Sequence, residues 1–282
     1  MVAATAEDTG RGDRRMNPRI EAKRSRTVEV NGQACRVWEK GEGRALVFLA
    51  GFGGLSRWTP CLEHLAARRR VIAPSLPGFP GTSTIGPLYN HLDWLLAAHD
   101  LISGAEREGC DLMGVSLGAA LAADVAALWP GLADRLVLVS ALGLFDEGEP
   151  SADPFAQRPG TLPQLLCANP ERYAAHIAAA DGADPVEWTV MTTRANEAAA
   201  RLLWPVGDTG LASRLGRIHN DTLLVWGEAD RVVPASYRPR FSGGIAGKTR
   251  VEIIPGAGHM VDLDAPELLA QRVDAFLSGA RA

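Results

Sequence analysis

The sequence predicts an α/β fold: a mostly parallel sheet with helices on both faces, interrupted once by an inserted helical segment. Three observations predict it. Short apolar runs alternate with stretches of helical spacing, which is the pattern of strands joined by crossover helices. One run, Ala45 to Ala50, is apolar without a break, as expected of a strand covered on both faces. The alternation stops after Ala141 and resumes at Thr222. A chain of 282 residues is long enough to bury one large core with such an insertion.

In chain order, Thr27 to Trp38 reads as a hairpin turning at Asn31-Gly32, a strong two-residue turn signal. After the Ala45 strand, Arg57 to Ala67 can form a helix and Arg70 to Pro74 a short strand. Leu88 to Ser103 has helical spacing through Leu92, Leu95, Leu96 and Leu101-Ile102. Asp111 to Val115 is a strand, Leu117 to Leu128 an Ala-rich helix ended by Pro130, and Arg135 to Ser140 a further strand. From about Gly143 to Gly216 no strand pattern is visible. Pro170 to Ala180 and Pro185 to Leu203 read as helices, each with proline in its first turn. Thr222 to Gly227 and Val251 to Ile254 are the last strands, and Pro266 to Leu277 is the closing helix. The expected division is a disordered tail over 1–26, a core over 27–142 and 217–282, and a helical cap over 143–216.

Hydrophobic residues make up 46% of the chain and charged residues 22%, ordinary for a soluble globular protein. The net charge of −4 gives no footprint for nucleic acid or an anionic membrane. No apolar run has membrane-spanning length. Arg14-Arg15 is followed by Asn17-Pro18-Arg19 rather than an apolar stretch, so an export signal is not expected. The four cysteines, Cys35, Cys61, Cys110 and Cys167, form no C-x-x-C pair; reduced, structural thiols and a cytoplasmic location are expected. The composition does not assign an oligomeric state.

The most informative stretch is Gly114-Val115-Ser116-Leu117-Gly118. It reads G-x-S-x-G between a strand and a helix, the context of a nucleophile elbow. There the serine occupies a strained turn that exposes its hydroxyl, and the glycines allow strand and helix to approach. Downstream, the strand at Thr222 ends in a loop presenting Asp230, and the strand at Val251 ends in a Gly-rich loop presenting His259. A serine hydroxyl is too weakly acidic to attack an acyl carbon unaided. It needs a base such as histidine, and the histidine needs an acid to hold its tautomer.

Those segments resemble the α/β-hydrolase superfamily over roughly residues 26–280. Also similar are Val47 to Gly54, Ala73 to Ser83, and Asp264-Ala265-Pro266-Glu267 after His259. The resemblance implies an α/β-hydrolase fold with an inserted cap, and a triad of Ser116 as nucleophile, His259 as base and Asp230 as its acid. Glu228, two residues from Asp230, and Asp146, after the sixth strand, are the alternative acids. The oxyanion hole would use the backbone N–H groups of Phe52 and Leu117. Gly51, Gly53 and Met260 would border the substrate. Among the cap residues Phe145, Phe155, Leu165, Leu166, Trp188, Met191, Leu203 and Trp204, either packing on the core or lining a pocket is open; Trp188 and Trp204 are the candidate substrate contacts. His176 is the one other histidine placed to touch substrate.

Two positions depart from the family pattern. Many relatives carry His-Gly where this chain has Ala50-Gly51, and commonly Asp where it has Ser75. The lost imidazole is expected to loosen the oxyanion loop and leave space nearby. The implied function is a serine hydrolase cleaving a carboxylic ester of a small or medium apolar substrate. Carbon–carbon bond hydrolysis of ring-cleavage products is the alternative, although such enzymes commonly place Trp after the histidine where this chain has Met260. Acyl transfer, perhydrolysis and a non-catalytic ligand receptor remain further readings. Asp would stand at 116 in an epoxide hydrolase or haloalkane dehalogenase. No cofactor or metal is expected, and the expected partner is a small-molecule substrate.

Overall fold

The computed structural model describes residues 23–158, 160–204, 206 and 208–279. Its first hairpin pairs β1 (Arg24–Val30) with β2 (Gln33–Lys40). Asn31 and Gly32 have φ of 49° and 72°, the positive values a two-residue primed turn requires. β1 starts inside the segment assigned to the tail: Arg24, Ser25 and Arg26 pair with Glu39, Trp38 and Val37. The boundary was misplaced because this edge strand is exposed over most of its length and needs no apolar pattern. Residues 1–22 of the expected tail lie outside the described residues.

β3 (Ala45–Leu49) leads to α1 (Pro60–Ala66), then β4 (Arg70–Pro74) and α2 (His91–Ala105). A capping box fixes the start of α2, with Asn90 and Asp93 each accepting from the other's backbone N–H. β5 (Cys110–Val115) passes directly into α3 (Leu117–Leu128), and β6 (Ala133–Val139) follows. β3 and β5 are buried at every position; β3 is apolar throughout, and the one charged residue of β5, Asp111, pairs with Arg44, Arg69 and Arg135. In α3 every residue except Leu128 is buried.

Between β6 and the next strand lie α4 (Leu162–Leu166), α5 (Pro170–Ile177), α6 (Pro185–Leu203) and two short 3₁₀ turns. Asp184 caps α6 by accepting from the N–H groups of Val186 and Glu187 at 2.8 and 3.0 Å. α6 buries a stripe of Ala195, Ala198, Ala199 and Leu202, and Arg194 donates to the Ser83 and Thr82 carbonyls on the loop after β4. Behind the 3₁₀ turns, Arg214 Nε donates to the fully buried Asp124 of α3 at 2.6 Å.

The chain closes with β7 (Asp221–Gly227), α7 (Tyr237–Gly244), β8 (Thr249–Ile254), α8 (Val261–Asp264) and α9 (Pro266–Leu277). The sheet order is β1-β2-β4-β3-β5-β6-β7-β8. β2 runs antiparallel to both neighbours, and the remaining pairs are parallel. The loops after β3, β5, β7 and β8 therefore open at one end of the sheet, at the carboxyl ends of the strands, where α/β folds place their sites. All four cysteines are buried and unpaired. Burial pushes the Cys35 thiol up to about 11 and Cys110 up to about 12. Among the described residues no helix is long and apolar enough to cross a membrane.

Candidate active site

Ser116 stands where β5 turns into α3, with φ 56° and ψ −118°. A residue with a side chain is strained there. Its backbone N–H is fixed by the Val139 carbonyl at 2.8 Å. The turn closes because its flanks are glycine. A Cβ on Gly114 would meet the Gly118 carbonyl oxygen at 2.3 Å, and one on Gly118 would meet the Leu49 and Ala50 oxygens at 2.4 and 2.5 Å.

His259 reaches Ser116 from the loop after β8, with Nε2 at 2.7 Å from Oγ. Nδ1 faces both oxygens of Asp230, each at 3.1 Å. An ionised carboxylate only accepts, so Nδ1 carries the hydrogen and Nε2 is left to accept from the serine hydroxyl. The Asp230 loop is laced to the His259 loop by Glu228 N–H to Ile254 and Ala229 N–H to Ala257, at 3.0 and 2.9 Å. Burial is the largest influence on the Asp230 carboxyl and pushes its pKa up. The facing His259, its hydrogen bond and the N–H groups of Val233 and Val232 outweigh it, and the net shift is downward. Asp230 is therefore ionised at neutral pH. The alternative acids lie elsewhere: Glu228 accepts from Gly256 N–H, and Asp146 pairs with Arg240. Ser116 and His259 are almost wholly buried.

Gly51 lies over the serine: a methyl group there would sit 3.3 Å from Ser116 Cβ and 3.0 Å from Met260 Cε. The N–H groups of Phe52 and Leu117, the latter in the first turn of α3, have no acceptor among the described residues. The loop carrying Phe52 is not loose, contrary to the expectation drawn from Ala50. Arg36, on β2, donates to the Leu55 carbonyl at 2.5 Å, the Pro80 carbonyl at 2.9 Å and Ser75 Oγ at 3.2 Å. From α5, His176 Nε2 donates to the Gly54 carbonyl at 3.0 Å, a second tie on the loop. The space beside Ala50 and Ser75 amounts to about 10 Å³, room for one water at most.

Asp264 ties the His259 loop to the insertion. One of its oxygens accepts from Gly258 and Ala168 N–H at 2.8 and 2.7 Å, the other from Asn169 at 3.2 Å. Asp262 is different. It is wholly buried, its Oδ1 has no partner among the described residues, and burial pushes its pKa up to about 7. The facing His259 lowers it and Asp264 raises it further. Between about pH 4 and about pH 7 the folded protein holds this proton and the unfolded chain does not, so stability falls as pH rises through that window. Asp262→Asn is expected to melt higher than wild type at pH 8 and at nearly the same temperature at pH 4. A difference that does not change with pH would show that Asp262 carries no such penalty.

A cavity of about 220 Å³ borders Gly53, with Leu162, Tyr173, Ile177, Trp188 and Asn196 in its wall; no lining residue is charged. Trp188, one of the two candidate contacts in the cap, lies in this wall. Trp204 does not: it is 60% exposed beyond the last turn of α6, off that helix's buried stripe, and outside this wall. A larger groove of about 630 Å³ between α1 and α9 contains none of Ser116, Asp230 and His259. Among the described residues no three His, Cys, Asp or Glu side chains form a metal-binding group. Arg36, Tyr173 and Asp262 had no signal in the sequence, and His176 was singled out there for a different role. Asp264 had one, an Asp-x-Pro segment two turns' reach from His259.

The sequence model of the alpha/beta hydrolase family matches residues 46–272. The chain is 31% identical over 270 residues to the dihydrolipoyllysine-residue acetyltransferase component of the acetoin cleaving system of Pseudomonas putida, covering 89% of this chain and 68% of that one. It is 23% identical to a 2-hydroxy-6-oxo-2,4-heptadienoate hydrolase from Pseudomonas putida, covering 92% and 98%. Among solved structures, a serine hydrolase involved in carbazole degradation superposes with a TM-score of 0.71 at 25% identity, covering 91% and 99%. The chain belongs to the alpha/beta hydrolase family. Its activity class is that of a hydrolase.

Proposed function

We propose that the protein is a serine hydrolase acting on a carboxylic ester of a small or medium apolar acyl group. The observation that carries this reading is the contact of Ser116 Oγ with His259 Nε2 at 2.7 Å, with Asp230 behind the ring. His259 takes the serine proton as Oγ attacks the ester carbonyl. The oxyanion forms against the Phe52 and Leu117 N–H groups, which are fixed in direction before the reaction starts. His259 then returns the proton to the leaving alcohol, leaving an acyl-enzyme. A water deprotonated by His259 releases the acid and restores Ser116. Residues 143–216 serve as the cap over this site, and the uncharged cavity beside Gly53 holds the acyl group.

Carbon–carbon bond hydrolysis is the second reading, favoured by relatives whose names describe dienoate and semialdehyde hydrolases. A dienoate is an anion, and an anion entering a dry cavity needs a cationic or N–H partner. No side chain lining this cavity is charged, which favours the neutral ester. The test is intact-mass labelling by a fluorophosphonate, followed by an ester and dienoate panel. One adduct on wild type and none on Ser116→Ala, with esters turned over faster, is the expected result. An unlabelled wild type would reject the serine mechanism, and faster dienoate cleavage would reject the ester.

A further inference from the structure

Tyr173 is buried apart from its contact with the cavity, and its hydroxyl makes no hydrogen bond among the described residues. A hydroxyl in a cavity wall that meets no protein group is open to water or to a polar group of a ligand. The hydroxyl points at the oxyanion loop: it lies 3.5 Å from where a Cβ on Gly53 would stand, and Tyr173 lines the uncharged cavity. The other polar groups of the wall are engaged or peripheral. Trp188 Nε1 donates to the Ile177 carbonyl at 3.1 Å. Thr192 Oγ1 donates to the Trp188 and Thr189 carbonyls at 3.0 and 3.1 Å. Asn196 is at the exposed rim. Burial also pushes the phenol pKa up, so the hydroxyl keeps its proton throughout the working range.

We infer that the Tyr173 hydroxyl is a specificity donor for an oxygen on the acyl chain, so that the preferred acyl group is an oxygenated one, such as an oxo acid, rather than a plain alkyl chain. The inference rests on the serine-esterase reading. Gly53 follows Phe52, and neighbouring residues are about 3.8 Å apart. An acyl chain that leaves the Phe52 N–H and enters the cavity beside Gly53 therefore passes Tyr173. An oxygen there accepts from the Tyr173 hydroxyl, which has no acceptor among the described residues. A methyl group there strands it, and a site built around such a donor discriminates against the analogue that lacks the acceptor.

The test compares two esters of one shape, 4-nitrophenyl 4-oxopentanoate and 4-nitrophenyl 4-methylpentanoate, on wild type and Tyr173→Phe. Because the hydroxyl holds no protein group, Tyr173→Phe should fold as wild type does. The variant is expected to lose about tenfold in kcat/KM on the oxo ester, the size of one neutral hydrogen bond. On the methyl ester it should stay within about twofold, and the rate of fluorophosphonate labelling should be unchanged. An oxo-to-methyl ratio equal in the two proteins, or an equal loss on both esters, would overturn the inference while leaving the serine mechanism standing. No turnover of either ester and no adduct on wild type would remove the esterase reading and this inference with it.

Discussion

Ser116→Ala is expected to lower ester turnover by about 10⁶-fold while the protein stays folded. Both halves of the expectation follow from the elbow. The hydroxyl's hydrogen-bond partner is His259, so its loss strands no backbone group. Alanine and serine carry the same Cβ, so φ 56° and ψ −118° strain both equally. Residual activity should reflect Phe52 and Leu117, which still stabilise an oxyanion formed by water attack. Ser116→Gly is an internal control. It is equally inactive but relieves the backbone strain, so it should be about 1 kcal/mol more stable than Ser116→Ala. Unfolding in urea, with activity on a 4-nitrophenyl ester, separates the two effects. Retention of near-wild-type turnover by Ser116→Ala would assign the nucleophile elsewhere.

Gly118→Ala is expected to destabilise the fold by about 4 kcal/mol or more. Helix propensity alone argues the other way, since alanine exceeds glycine by about 1 kcal/mol inside a helix. The clash is larger. The new methyl group would lie 2.4 and 2.5 Å from the Leu49 and Ala50 oxygens, which belong to backbone and have no rotamer to escape into. α3 would have to lift from the end of β3, moving Leu117 N–H away from Ser116. A fall of roughly 10 °C in melting temperature is expected. Gly243→Ala, in α7 with nothing within 4 Å of its added methyl, should instead gain about 0.5–1 kcal/mol. Equal behaviour of the two variants would show that the tight approach at Gly118 is absent in solution.

The parts of this molecule legible in its sequence are those whose cause is local. β3 is covered on both faces and therefore reads as an unbroken apolar run. The start of α6 reads from Pro185, a first-turn proline that needs no donor. The residues on the triad loops read from loops at strand ends. α7 did not read, because Pro239, Gly243 and Gly244 mask it and its anchors, Tyr237 and Phe241, are four residues apart in an otherwise polar segment. The supports of the oxyanion loop did not read for another reason. Arg36 meets Leu55 from 19 residues away and His176 meets Gly54 from 122, and no spacing rule links them. Trp204 shows the converse: an aromatic side chain in the right segment says nothing about which way it faces.

The Arg36 clamp changes how this enzyme should respond to acid. An imidazole at position 50, as many family members carry, gains or loses charge near neutrality. A guanidinium does not: burial lowers its pKa only to about 10. The second tie, His176, is held neutral by burial and donates through Nε2 whether or not Nδ1 is protonated. The oxyanion loop of this chain is thus fastened by groups whose hydrogen bonds survive across the neutral range. Fastened this way, the loop should add no step of its own to the pH dependence of turnover, unlike a loop held by an imidazole that changes charge near neutrality.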